Sequence, residues 1–164
     1  MRRIVLLFLA LASLAATTAA NEAQKVRLVE ILELDFGKGL VGKRIALWGL
    51  AFKPQTDDMR EAPSVPLARA LVAAGAEVIA YDPAARHTAH QILGDTIRYA
   101  DDPYQAIEGA DALCLVTEWS EFTAPDWERA WALMRDHFLY DGRNLWEPRE
   151  LTQQGFKYRG IGRR

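Results

Sequence analysis

The run Ala112-Leu-Cys-Leu-Val116 contains no polar side chain. A β-strand points successive side chains to opposite faces, so a strand of this composition has no face to offer water. It must be covered on both sides. Ile45-Ala-Leu-Trp48 and Val78-Ile-Ala-Tyr81 pose the same demand, and Phe138-Leu-Tyr140 repeats it. Sheets buried on both faces are typically parallel, with helices carrying the chain back over each face.

The segments between these runs supply the helices. Residues Asn21 to Phe36 place Leu28, Val29, Leu32 and Phe36 on one face at helical spacing, with Glu22, Arg27, Glu30 and Glu33 mostly elsewhere; Gly37 and Gly39 end the pattern. Ser64 stands where an N-cap belongs, before a helix over Val65–Ala74 that Gly75 closes. Further helices are predicted from about Ala84 to Leu93, Pro103 to Glu108 and Pro125 to Asp136, with a helical turn over Glu150–Gln154. Strands are predicted over Arg44–Trp48, Glu77–Tyr81, Ala112–Val116 and His137–Tyr140, with short ones at Ile97–Tyr99 and Tyr158–Ile161. The order predicts an α/β chain: a Rossmann-like parallel sheet with helices on both faces, in a single domain. A length of 164 residues suits one domain and not comfortably two. Trp119, Trp127 and Trp131 are expected to pack a surface helix onto the sheet.

Residues 1–20 differ from the rest. Met1-Arg-Arg is basic, Ile4 to Ala16 is apolar apart from Ser13, and small residues follow to Ala20. That is the form of a secretory signal peptide, too short for a stable spanning helix. It fits either export or a rearranged gene start. A net charge of -2 gives no electrostatic footprint for nucleic acid, and none is expected as a partner. A single cysteine excludes an internal disulfide, and no Cys/His cluster offers a zinc site.

The chemistry concentrates after the first strand, in Gly49-Leu-Ala-Phe-Lys-Pro-Gln-Thr-Asp-Asp-Met-Arg-Glu-Ala-Pro-Ser64. Strand-to-helix connections in such folds usually take about 2–6 residues. This one is far longer and carries Lys53 and Arg60 beside Asp57, Asp58 and Glu61. It belongs at the carboxyl edge of the sheet, where ligands of α/β folds bind. The strand does not lead into Gly-x-Gly-x-x-Gly, so the domain is a poor dinucleotide binder by itself. Side-chain cations are offered instead: Lys53 as a point charge, Arg60 and Arg143 as planar forks able to hold phosphate oxygens. In a parallel sheet all three lie at one edge, an arrangement suited to a diphosphate. The alternative is that Lys53 and Arg60 pair with Asp57, Asp58 and Glu61, and Arg143 with Asp141. The two adjacent acids are expected to order the loop rather than act as a base or hold metal. Asp82 reads as a ribose acid or as the opening of a turn before Pro83. Thr117-Glu-Trp119 reaches the same edge, as wall or as contact. Cys114 lies mid-strand among leucines and reads as an inert core thiol. His87, His90 and His137 have no Asp or Cys at a useful spacing and read as surface or core residues.

The loop quoted above, with Tyr81-Asp-Pro83, Ala110-Asp-Ala112, Thr117-Glu-Trp119, Asp141-Gly-Arg-Asn144 and Tyr158-Arg-Gly-Ile-Gly-Arg163, resembles the C-terminal domain of UDP-glucose 6-dehydrogenases within the UDP-glucose/GDP-mannose dehydrogenase family. The resemblance covers roughly Asn21 to Arg163; Pro54, Met59 and Ala62 resemble the UDP-glucose branch, while Gln55 stands where Asn is more usual. It implies a division into a signal-like segment (1–20), the end of an interdomain helix (21–40) and a UDP-sugar-binding Rossmann-like domain (41–164). It implies that Phe52, Lys53 and Arg143 contact substrate, that Arg60 reaches the NAD of another domain, and that no catalytic residue or metal ligand lies in this chain. The family's NAD-binding domain and catalytic cysteine lie upstream of the position of Asn21. The resemblance therefore implies a chain that binds UDP or UDP-glucose, with NAD held mainly elsewhere. The chain would then not be active alone: oxidation of UDP-glucose to UDP-glucuronate with two NAD, in the cytoplasm, would need an N-terminal dehydrogenase half, and a homodimer through helix 21–36 is a further implied partner. The rivals are an exported or non-catalytic nucleotide-sugar-binding module, and a part of a dehydrogenase for UDP-N-acetylmannosamine or GDP-mannose.

Overall fold

The structure, a computed structural model, describes residues 27–37 and 39–162. The signal-like stretch over 1–20, the first turn of the expected leading helix and Arg163 lie outside the described residues. Helix α1 covers residues 27–36. Strands β1 (Arg44–Trp48), β2 (Glu77–Tyr81), β3 (Arg98–Tyr99), β4 (Ala112–Leu115), β5 (Phe138–Asp141) and β6 (Lys157–Gly160) alternate with α2 (Ser64–Ala73), α3 (Arg86–Leu93), α4 (Pro103–Ile107), α5 (Trp127–Leu133) and α6 (Pro148–Gln153). All strand pairings are parallel, in the order β3-β2-β1-β4-β5-β6. This is the doubly wound order of dinucleotide-binding folds.

Both faces of the sheet are covered, as the apolar runs demand. Leu47, Cys114 and Tyr140 share one register row, and Trp48, Leu115 and Asp141 the next. Tyr140 points toward α1, where its hydroxyl donates to Asp35 at 2.9 Å. Trp48 points the other way, donating to the Pro103 carbonyl of α4 and stacking on Phe122 at 5.0 Å between ring centres. Each of these large side chains is fully buried, worth on the order of 1.5–3 kcal/mol apiece. The apolar face of α1 finds its cover within the chain: Leu28, Val29 and Leu32 are buried, and Phe36 packs on Phe138 at 4.6 Å. Asp35 also receives Arg159 of β6, at 3.0 Å from Nε, so the helix is clasped to the far side of the sheet.

Several local expectations are corrected. Ser64 is the first helical residue of α2 rather than its cap; Pro63 occupies the cap position without a side-chain bond, and the Ser64 hydroxyl donates to the Leu50 carbonyl at 2.5 Å. Helix α5 is shorter than predicted because Asp126 caps it and Met134 is already extended. Trp119 lies outside any α-helix, where its indole donates to Asp82 at 3.1 Å. His90 does have an acid neighbour: Asp95 lies 3.2 Å from its Nε2. Among the described residues, no helix is long and apolar enough to cross a membrane.

Candidate functional site

The strand order reverses between β1 and β4, because the chain runs outward through β2 and β3 and then crosses back over α4. A crevice opens outside the carboxyl ends of the strands at such a reversal. Here it is a pocket of about 560 Å³ lined by Phe52, Lys53, Glu61, Pro63 and Leu67 from the β1–α2 connection and α2, Leu115 of β4 and Val116 just after it, Gly142 and Arg143 after β5, Ile161 after β6, and Leu28 of α1.

The root of the long loop is fixed through every backbone polar group of two residues. Asp82, buried at the end of β2, accepts the N–H of Leu50 at 2.6 Å and of Ala51 at 3.0 Å on one oxygen. The Ser64 hydroxyl takes the Leu50 carbonyl, and the Thr117 hydroxyl takes the Ala51 carbonyl at 2.6 Å. The other Asp82 oxygen accepts from Ala84 at 2.9 Å and Ala85 at 2.7 Å. Asp82 is thus a junction tying the ends of β1, β2 and β4 together, and the turn-opening alternative describes half of its work. Gly49 is required there: its φ is +87°, and a Cβ would stand 2.5 Å from the Thr117 Cβ. Beyond the root, Phe52 N–H donates to the Asp58 carbonyl at 2.8 Å, folding the loop back on itself. Phe52 itself is about half exposed on the pocket rim.

The three predicted cations do not all converge. Lys53 and Arg143 line the one pocket. Arg60 lines a neighbouring depression with Thr56, Asp57, Asp58, Met59, Thr88 and Ile92. Its side chain is 89% exposed and forks onto Asp58, with Nη2 at 2.7 Å from one oxygen. Those Arg60 hydrogen bonds, from guanidinium and backbone, bring the Asp58 carboxyl down to about 2. Asp58 therefore orders the loop as expected of the acid pair, whereas Asp57, among the described residues, meets the Thr88 hydroxyl at 3.5 Å.

Arg143 pairs with Glu118, not with Asp141. Its Nε donates to one Glu118 oxygen at 2.5 Å and its Nη2 to the other at 2.6 Å, which holds the Glu118 carboxyl below its ordinary range. Asp141 instead anchors the turn, accepting the Arg143 N–H at 3.0 Å, the Trp146 N–H at 2.9 Å and the Tyr158 hydroxyl at 2.9 Å. Gly142 between them has no room for a side chain, since a Cβ would lie 2.6 Å from the Leu115 carbonyl oxygen. Glu118 was visible in the sequence only as part of Thr117-Glu-Trp119, with nothing to join it to Arg143.

Cys114 is fully buried, and burial alone pushes its thiol far up, so it is not a nucleophile. Among the described residues no three His, Cys, Asp or Glu side chains gather to hold a metal ion. The dinucleotide implied by the resemblance does not fit at the first turn of this domain. The N–H groups of Leu50 and Ala51, which would face a pyrophosphate there, are already held by a carboxylate.

Residues 46–148 match the model of the UDP-glucose/GDP-mannose dehydrogenase family, UDP binding domain. UDP-glucose 6-dehydrogenase of Pseudomonas aeruginosa is 46% identical over 155 residues, covering 92% of this chain and 34% of the relative. The Rhizobium meliloti enzyme of the same name is 40% identical over 147 residues, covering 90% and 33%. A solved UDP-glucose dehydrogenase from Pyrobaculum islandicum superposes with a TM-score of 0.70 at 33% identity, covering 87% of this chain and 30% of that one. The chain thus spans about a third of the length of the curated relatives it matches. With the matched stretch running from β1 through the Arg143 turn to the start of α6, the chain belongs to the UDP-glucose/GDP-mannose dehydrogenase family, through its C-terminal, UDP-binding domain.

Proposed function

We propose that this chain is the nucleotide grip of a UDP-glucose 6-dehydrogenase, holding the UDP part of UDP-glucose while the chemistry is done elsewhere. The supporting observation is that Lys53 and Arg143, from two separate crossovers, line one pocket at the strand reversal. Two cations there suit the two charges of a diphosphate, and Phe52 on the rim offers a ring face to the base or sugar. Arg60, exposed, outside that pocket and paired with Asp58, is the residue this reading turns toward NAD carried by a second domain. The proposed full reaction oxidises the sugar C6 alcohol to the carboxylate with two NAD, in the cytoplasm where nucleotide sugars and NAD are found. Among the described residues, the first turn of the sheet is closed to a dinucleotide and Cys114 is no activated thiol, so in this reading an N-terminal dehydrogenase half supplies both. A homodimer through α1 is compatible with this role. The names of the curated relatives support glucose over other sugars.

Calorimetry with UDP tests the reading. The full chain is expected to bind UDP, and Arg143→Ala to weaken binding by about 1.5–3 kcal/mol, the range for hydrogen bonds to a charged group. No uptake of UDP by folded protein rejects it.

A further inference from the structure

Glu118 has no place in the roles the resemblance assigns, yet it makes the tightest side-chain contact Arg143 has. The contact is built from both sides. Thr117, on one side of Glu118, is fixed by its hydroxyl to the Ala51 carbonyl, and Trp119, on the other, by its indole to Asp82. Across from it, the Arg143 backbone is fixed by buried Asp141. Two rigid strand ends therefore present the acid and the guanidinium to each other, through residues 25 positions apart.

The edge of the guanidinium that Glu118 uses matters. It takes Nε–H and one Nη2–H, the side edge. A guanidinium has five N–H donors in a fixed plane, so the outer fork of Nη1 and Nη2 stays open. Arg143 lines the pocket and Glu118 does not. The acid thus holds the side edge of an arginine that lines the cavity, and the Nη1/Nη2 fork is the edge left for a ligand.

We propose that Glu118 is a positioning residue for diphosphate binding: it pre-sets the Arg143 fork toward the pocket and stays in place when ligand binds. This rests on the UDP reading above. Fixing one long side chain in advance spares roughly the ordering cost of one rotamer-rich side chain, so its loss is expected to raise the Kd for UDP by about 2-fold to 10-fold.

The test is calorimetry of the full chain with UDP and with uridine, which lacks phosphate, for wild type, Glu118→Ala, Glu118→Gln, Arg143→Ala and the double variant E118A/R143A. Circular dichroism establishes that each variant is folded. The expected result is weaker UDP binding by Glu118→Ala, with Glu118→Gln in between because it keeps one acceptor. Uridine affinity should be unchanged, and Glu118→Ala should add no further loss once Arg143 is removed. Tighter UDP binding by Glu118→Ala would mean that Glu118 competes with the ligand, and overturns the proposal. So does an equal loss for uridine, which marks a merely structural role, or no change at all. Failure of wild type itself to bind UDP overturns the UDP reading and Glu118's role with it, an outcome distinct from the others.

Discussion

Replacing Asp82 by Asn should damage the domain far more than an isosteric change suggests. The two Asp82 oxygens accept from Leu50, Ala51 and Trp119 on one side and from Ala84 and Ala85 on the other. An amide must turn its NH2 toward one of these sets, donor against donor. The less costly orientation faces Ala84 and Ala85, whose turn is the wetter of the two. Two backbone N–H groups then lose their acceptor, at about 1–3 kcal/mol each if water does not replace it. The three remaining bonds also lose their charge, falling from about 1.5–3 to about 0.5–1.5 kcal/mol each. These terms share one residue and do not add. A net loss of about 3–5 kcal/mol, the range for breaking a buried charged group's partnership, is expected. For a domain of this size each kcal/mol lowers the midpoint by about 2–4 °C. Urea unfolding followed by tryptophan fluorescence measures the loss, and UDP calorimetry on the folded fraction should show weaker binding, because the root of the Lys53 loop is released. A loss under about 1 kcal/mol with an unchanged denaturant slope would refute the junction role.

Gly49→Ala is expected to cost about 1–3 kcal/mol from its positive φ alone, with overpacking against Thr117 adding to it; thermal unfolding reads the sum. Gln55 sits at φ +62°, a conformation Asn tolerates better, so Gln55→Asn should stabilise by a few tenths to about 1 kcal/mol in the same assay. The Asp58 carboxyl, depressed from 3.8 to about 2 by Arg60, contributes stability that is complete above its unfolded value and lost as pH falls through about 2. Carbon NMR titration should place its midpoint there, and Arg60→Ala should return the midpoint toward the ordinary value; an unmoved midpoint would contradict the pairing.

The strands were legible because nothing in Ala112-Leu-Cys-Leu-Val116 could face water, and the structure buries Ala112 through Leu115 completely. The long loop was legible as a ligand edge from its length and its place after β1. Pairings across crossovers were hidden. Asp141, two positions away, is the alternative partner the sequence offers Arg143, but it turns inward to take three donors, and Glu118 takes the guanidinium from another strand end. Ser64 follows the rule for caps, yet the Leu50 carbonyl takes its hydroxyl instead. The separation of Arg60 from Lys53 goes with a backbone feature no spacing displays: Gln55, between them, adopts positive φ.

Leu28 and Ile161, near opposite ends of the described residues, stand in the wall of the same pocket. The cavity is a seam between α1 and the segment after β6. During synthesis, a chain released as far as the Arg143 turn after β5 owns both cations yet still lacks one side of the vessel. Completion of the pocket wall therefore coincides with the docking of β6, and a ligand seated there would bridge α1 to the segment after β6.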